Sequence, residues 1–176
     1  MDPFRNSGPV PQRYARPAAS PLALRLVAAA CLATSLVGAA AAANWEVSPA
    51  PRGGKKTCLL LSAKQPVNDG YQVVEAQIIV DGSTVIVKSD SVLDPGFADI
   101  GLAVAKHSFI QADEIRDRKQ AVFAKQYAEI VQLFKDEREV RVQLRFWPTW
   151  PATGTHSASF SLMGFTKAHG EADRCE

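Results

Sequence analysis

Residues 71–88 read YQVVEAQIIVDGSTVIVK, and this stretch decides the class of the fold. Two runs rich in β-branched residues, Tyr71 to Val80 and Ser83 to Lys88, flank Asp81-Gly82, a dipeptide that accepts positive φ in a tight hairpin turn. In the second arm Val85 and Val87 share one face and Ile86 takes the other, so both faces are partly apolar. An antiparallel sheet is therefore expected around this hairpin.

Working towards the N terminus, Gln65 to Gly70, with Asn68-Asp69-Gly70, reads as a turn. Thr57 to Ser62 is a short apolar run suited to a buried strand. Residues 44–56, rich in Pro, Gly and Lys, read as an extended lead-in. Working towards the C terminus, residues 89–99 form a loop, and Ile100, Leu102 and Val104 then alternate with Gly101 and Ala103 as in a strand. Asp113-Glu114 marks the start of a helical region, because acidic side chains favour a helix N terminus. One long amphipathic helix is predicted over about 118–135, where Phe123, Tyr127, Ile130, Val131 and Phe134 fall on a single stripe. Glu139 to Trp147 predicts a strand with Val140, Val142, Leu144 and Phe146 inward and Arg141, Gln143 and Arg145 outward. Pro148-Thr149-Trp150-Pro151 cannot continue a ladder, and residues 156–162 alternate again before a short C-terminal helix. The expected fold is mainly β with α: an antiparallel sandwich-like or partly open barrel sheet, one long helix packed on it and a short helix at the end.

The first 43 residues have the pattern of a signal peptide. Arg5, Arg13, Arg16 and Arg25 make a basic region, an apolar run from Leu26 to Ala43 follows, and small residues precede a cleavage position after Ala43. The alternative is an uncleaved anchor, although Thr34, Ser35 and Gly38 make the run weakly hydrophobic. Cys31 is a poor lipid-attachment site, because Ala28-Ala29-Ala30 lacks the Leu expected three residues before it. The leader holds four Arg and one Asp, so residues 44–176 keep sixteen basic and seventeen acidic residues and a net charge of −1. The mild basicity of the whole chain is a leader effect and implies no nucleic-acid partner. Residues 44–176 are long enough for one domain with a real core, and 57–176 are expected to form a single exported β-rich domain, with no membrane contact after leader cleavage.

Two cysteines remain, Cys58 and Cys175, an even count in an exported chain and therefore an expected disulfide. It reads as structural, because a catalytic pair would sit as Cys-x-x-Cys. The expectation places the terminal helix against the first strand.

The chain lacks the usual constellations of an enzyme: no Gly-x-Ser-x-Gly elbow, no Gly-rich phosphate loop and no His-Glu-x-x-His. His107, His156 and His169 are widely separated, so no metal and no cofactor is expected. Asp90, Asp94 and Asp99 share one loop, but their spacing fits no calcium hand, and Asp commonly caps turns. No catalytic residue is assigned. Arg145-Phe146-Trp147-Pro148-Thr149-Trp150-Pro151 is the most unusual segment. Its Trp rings have two readings: a plug at the end of the sandwich, the commoner fate of large aromatics, or a rigid surface that stacks on a sugar ring or grips a peptide. The candidate binding residues are Trp147, Trp150, Arg145 and His156.

Phe160-Ser161-Leu162-Met163-Gly164-Phe165-Thr166-Lys167-Ala168 closes the C-terminal third, after a helix and two strands, and resembles the ending of the invasion-associated locus B family of exported bacterial proteins. Those domains similarly run a strand into Leu-x-Gly-Phe-x-x-Ala. The resemblance implies export, a β-rich single domain and a loose association with host-cell invasion, and it carries over no catalytic residue. The expected function is a non-enzymatic, periplasmic or secreted envelope protein that binds another protein or a glycan. The alternatives are a small periplasmic hydrolase with His156 as base, or a small-ligand carrier.

Overall fold

A computed structural model describes residues 44–52, 55–148 and 154–175. The leader, with Cys31 and the cleavage position at Ala43, and the second tryptophan of the aromatic segment, Trp150, lie outside the described residues. In chain order the strands are β1 (Trp45–Arg52), β2 (Lys55–Ser62), β3 (Gln65–Asn68), β4 (Val73–Val80), β5 (Val85–Ser89), β6 (Gly101–Ala103), β7 (Ile110–Gln111), β8 (Glu114–Arg116), β9 (Gln120–Phe123), β10 (Glu139–Leu144) and β11 (His156–Ser161). Among the described residues two helices, α1 (Tyr127–Asp136) and α2 (Phe165–Ala172), join them. These residues are mainly β with α, and their antiparallel sheets do not close into a barrel.

The larger sheet runs β1-β2-β4-β5-β9-β8, with β3 pairing β4 on the side that β2 leaves. The 44–56 segment is not a mere lead-in: β1 pairs along its whole length with β2, from Trp45↔Ser62 to Arg52↔Lys55. Pro49 and Pro51 fit there because β1 is the outer strand, where a missing N–H breaks no second ladder. Most of the predicted turn at 65–70 is strand β3 as well. The reversal is confined to Asp69–Gln72, where Asp69 Oδ1 accepts from the Tyr71 and Gln72 amides, both at 2.9 Å. The β4–β5 hairpin forms around Asp81-Gly82, but with a four-residue loop, since Val80 pairs with Val85. Asp81 Oδ1 accepts from the Ser83 and Thr84 amides at 3.1 and 2.7 Å, and Gly82 supplies the positive φ, 85°.

The largest departure from expectation lies at 113–126. Instead of the first turns of a helix, these residues make the β8–β9 hairpin, with Ile115↔Ala121 and Arg116↔Gln120 in register, and β9 docks on β5 through Ile86↔Val122 and Val87↔Ala121. Asp117 and Arg118, at φ 51° and 53°, turn the chain. Left-handed backbone in residues with a Cβ costs about 1–2 kcal/mol each. It is sustained here by pairing on both flanks, and by Leu93 and Ser89 amides donating to the Arg118 and Lys119 carbonyls at 2.7 and 2.9 Å. Phe123 is buried from the strand, and α1 keeps Ile130, Val131, Leu133 and Phe134 as its buried stripe.

The smaller sheet runs β11-β10-β6-β7. Val140, Val142 and Leu144 face the core from β10, Ala158 and Phe160 from β11, and Leu102 from β6. Gly101 permits the approach of β7: a Cβ there would overlap the Ile110 carbonyl and the Phe109 ring. The two sheets and two helices bury one cluster, with Val74, Ala76, Ile78, Val80, Val85 and Val87 from the β4–β5 hairpin. At one end Trp45, Phe134 and Phe165 interlock, with ring centroids 4.9 to 6.2 Å apart, and Trp45 Nε1 donates to the Ser161 carbonyl at 3.1 Å. Thus β1, β11, α1 and α2 meet at one aromatic node. After α2, a 3-10 turn at Asp173–Cys175 brings Cys175 to Cys58 of β2, and the two form a disulfide with Cα atoms 5.8 Å apart. Among the described residues no helix is long and apolar enough to cross a membrane.

Candidate binding surface

The alternation of β10 does not stop at Leu144. Phe146 is buried and bridges Leu93, so Arg145 and Trp147 turn to the opposite side, on the line of Arg141 and Gln143. A strap of loop, residues 89–94, holds this extension in place. The Trp147 amide donates to the Val92 carbonyl at 2.8 Å, and the Asp94 amide to the Arg145 carbonyl at 2.9 Å. The other edge of the strap is tied to the turn of the β8–β9 hairpin through the Ser89 and Leu93 amides.

Trp147 is 53% exposed, so this ring is not the plug of a sandwich. The Arg118 guanidinium lies over it, 5.7 Å from the ring centroid. Phe97, from the loop before β6, is also partly exposed and carries the Arg145 guanidinium 4.5 Å from its centroid. Such cation–π contacts contribute about 0.5–1 kcal/mol at exposed sites. Arg145 faces outward from the sheet as expected, but its side chain is only 17% exposed, clamped between Phe97 and Asp99, whose Oδ2 accepts from Nε at 2.8 Å. The reason is cross-strand: Asp99 and Thr155 flank Arg145 just beyond the ends of β6 and β11, and the Thr155 hydroxyl donates to the same Asp99 oxygen. Burial works to raise the Asp99 carboxyl, but the Thr155 and Arg145 hydrogen bonds and the Arg145 charge prevail and hold it below the ordinary value.

From this corner the outer face of the smaller sheet continues with polar and small residues. Gln143 lies between Ser157 and Gly101, and Arg141 between Ser159 and Ala103. Beyond Ala103, an open cavity of about 460 Å³ is lined by Asp136, Glu137, Arg138, Glu139 and Arg141.

His156 opens β11 on another side of the corner, with its ring 5.6 Å from Phe146. Its charge helps lower the Asp69 carboxyl; burial raises that group, and the Gln72 and Tyr71 amides, the Ser91 hydroxyl and then His156 outweigh it. That carboxylate is already engaged by its own turn. The structure therefore brings Trp147 and Arg145 together and sets His156 beside the buried Phe146. Sequence reasoning missed Arg118, Phe97, Asp99 and Thr155, because their proximity depends on strand register. The only advance signal was the extended polar alternation of Arg141, Gln143 and Arg145. Among the described residues no group of three or more His, Cys, Asp or Glu side chains is placed to hold a metal ion.

No protein-family model matches the chain, and no curated protein sequence matches it either. A solved structure to which it is similar is that of invasion associated protein B from Bartonella henselae, 18% identical, with a TM-score of 0.49 over 75% of this chain and 92% of that one.

Proposed function

We propose that the chain is a non-enzymatic, exported envelope protein that binds a protein or a glycan through the corner of Trp147, Arg118, Phe97 and Arg145. The observation that carries this reading is the exposed Trp147, whose backbone is fixed by the strap while its ring remains 53% exposed. A large ring on rigid backbone loses little freedom when it stacks on a partner. Export is supported by the leader pattern of residues 1–43 and by the Cys58–Cys175 disulfide, a bond that persists in oxidising compartments.

The test is photo-crosslinking in the envelope of cells that express the full chain. A benzoylphenylalanine at Phe97 gives discrete adducts that disappear when Trp147→Ala is added, whereas the same probe at the exposed Lys167 of α2 gives none. Absence of adducts at Phe97 removes the corner as the working surface. Hydrolysis of a broad substrate panel by purified protein, lost in His156→Ala, would overturn the non-enzymatic reading and favour the hydrolase alternative. An N terminus other than Asn44 in the purified protein would count against cleavage after Ala43.

A further inference from the structure

Building on the corner as a binding surface, we propose that its ligand is an acidic glycan, with one sugar ring stacked on Trp147 and its carboxylate held by Arg118. Three basic side chains on and around this corner have different engagements. Arg116 contacts Glu114 at 2.6 Å and Arg145 contacts Asp99 at 2.8 Å, whereas Arg118 has no carboxylate partner among the described residues. A guanidinium beside an aromatic ring, without a carboxylate of its own, is suited to bidentate capture of one from a ligand.

The arrangement is built into the backbone. Arg118 holds a left-handed φ of 53°, maintained by the Leu93 amide on its carbonyl at 2.7 Å, while the neighbouring Val92 carbonyl holds the Trp147 amide at 2.8 Å. A single strap thus holds the backbone that carries both the cation and the ring. The positive φ at Asp117 and Arg118 is what the tight β8–β9 turn requires, and it carries Arg118 to the side of Trp147. The adjoining sheet face decides between a sugar and a peptide. It offers Ser157 and Gln143 as hydrogen-bonding groups for hydroxyls, and the Thr155 and Ser159 oxygens, whose protons go to Asp99 and Glu139, as acceptors, rather than the apolar pocket that a protein hot spot fills.

The experiment uses protein purified from the periplasm after expression of the full chain. Binding of a galacturonate oligomer is measured by calorimetry at low salt, against a neutral galactose oligomer and polyglutamate. The expected result is binding of the galacturonate oligomer, weakened at least about tenfold by Trp147→Ala and by Arg118→Ala, partly retained in Arg118→Lys, and unchanged in Lys167→Ala. Near-ultraviolet circular dichroism matching the parent protein shows that each variant is folded. Equal binding of the neutral oligomer, or galacturonate binding indifferent to Arg118→Ala, overturns the acidic-glycan proposal and leaves the corner as a binding surface. Binding of polyglutamate alone overturns it in favour of an acidic protein partner. No binding of any probe also overturns it; the crosslinking at Phe97 then decides separately whether the corner binds anything.

Discussion

Asp113 shows how far a single residue can be read. As an acidic side chain before an amphipathic stretch, it predicts a helix start. It does serve one, but across space: its Oδ2 accepts from the Ala124 and Lys125 amides at 2.7 and 2.9 Å, just ahead of α1. The Lys125 amide foremost, against burial, and then the Ala124 amide and the Lys125 side chain hold its carboxyl below the ordinary value. A depressed carboxyl contributes stability above the unfolded value near pH 4 and loses it as pH falls through the lower folded value. Asp113→Asn should therefore cost about 1 kcal/mol at neutral pH and progressively less in acid. Urea midpoints at pH 7 and pH 3 check this, and an unchanged difference at the two values would contradict it. The type of interaction was legible in the residue, while its partner, eleven residues on, was not. Arg118 is the opposite case. Nothing in its local sequence marks a left-handed turn, because the turn exists only where two short strands pair.

At the scale of elements, the helix and the β8–β9 hairpin compete for the same residues. Phe123, Tyr127, Ile130, Val131 and Phe134 satisfy a helical period, and the stripe from Tyr127 onward is indeed α1. Phe123 satisfies that period by coincidence. It belongs to β9, whose Ala121, Val122 and Phe123 are all buried, and a short strand covered on both faces has no alternation to announce it. The β4–β5 hairpin, β10 and β11 were legible because each has one buried face and a turn signal. β1 was obscured by its prolines, which only an outer strand tolerates. Phe134 is the helical residue on which this packing converges, against both Trp45 and Phe165. Phe134→Ala is expected to cost about 3–5 kcal/mol, read as a lowered urea midpoint with little change in slope. A loss below about 1 kcal/mol would mean that the aromatic node does not organise β1, α1 and α2.

For the molecule as a whole, the disulfide joins β2 to the turn after α2 across 117 positions of sequence. Closing so long a loop restricts the unfolded chain by about 4–5 kcal/mol on the entropic account. The paired change Cys58→Ser with Cys175→Ser is expected to lower stability by up to that amount, measured by denaturant unfolding without reductant. Intact protein should be about 2 Da lighter before reduction than after, one bond's worth of hydrogen. Two thiols reactive without reductant would contradict the bond and remove its support for export.

What the sequence determined by itself follows from short-range physics: alternation that makes β4, β5, β10 and β11, a stripe that makes most of α1, turn residues at Asp69 and Asp81-Gly82, and an even cysteine pair with one partner each. What only the tertiary structure decided is which residues share the corner. Trp147 is exposed because Phe146 claims the core beside Leu93, Arg145 is restrained because Asp99 and Thr155 stand in register with it, and Arg118 reaches the ring because a strap joins two edges of the fold. Local propensity acts over a turn or a strand, whereas these contacts span 46 positions from Asp99 to Arg145 and 56 from Asp99 to Thr155. They exist only after strand register is set by burying one face of each sheet.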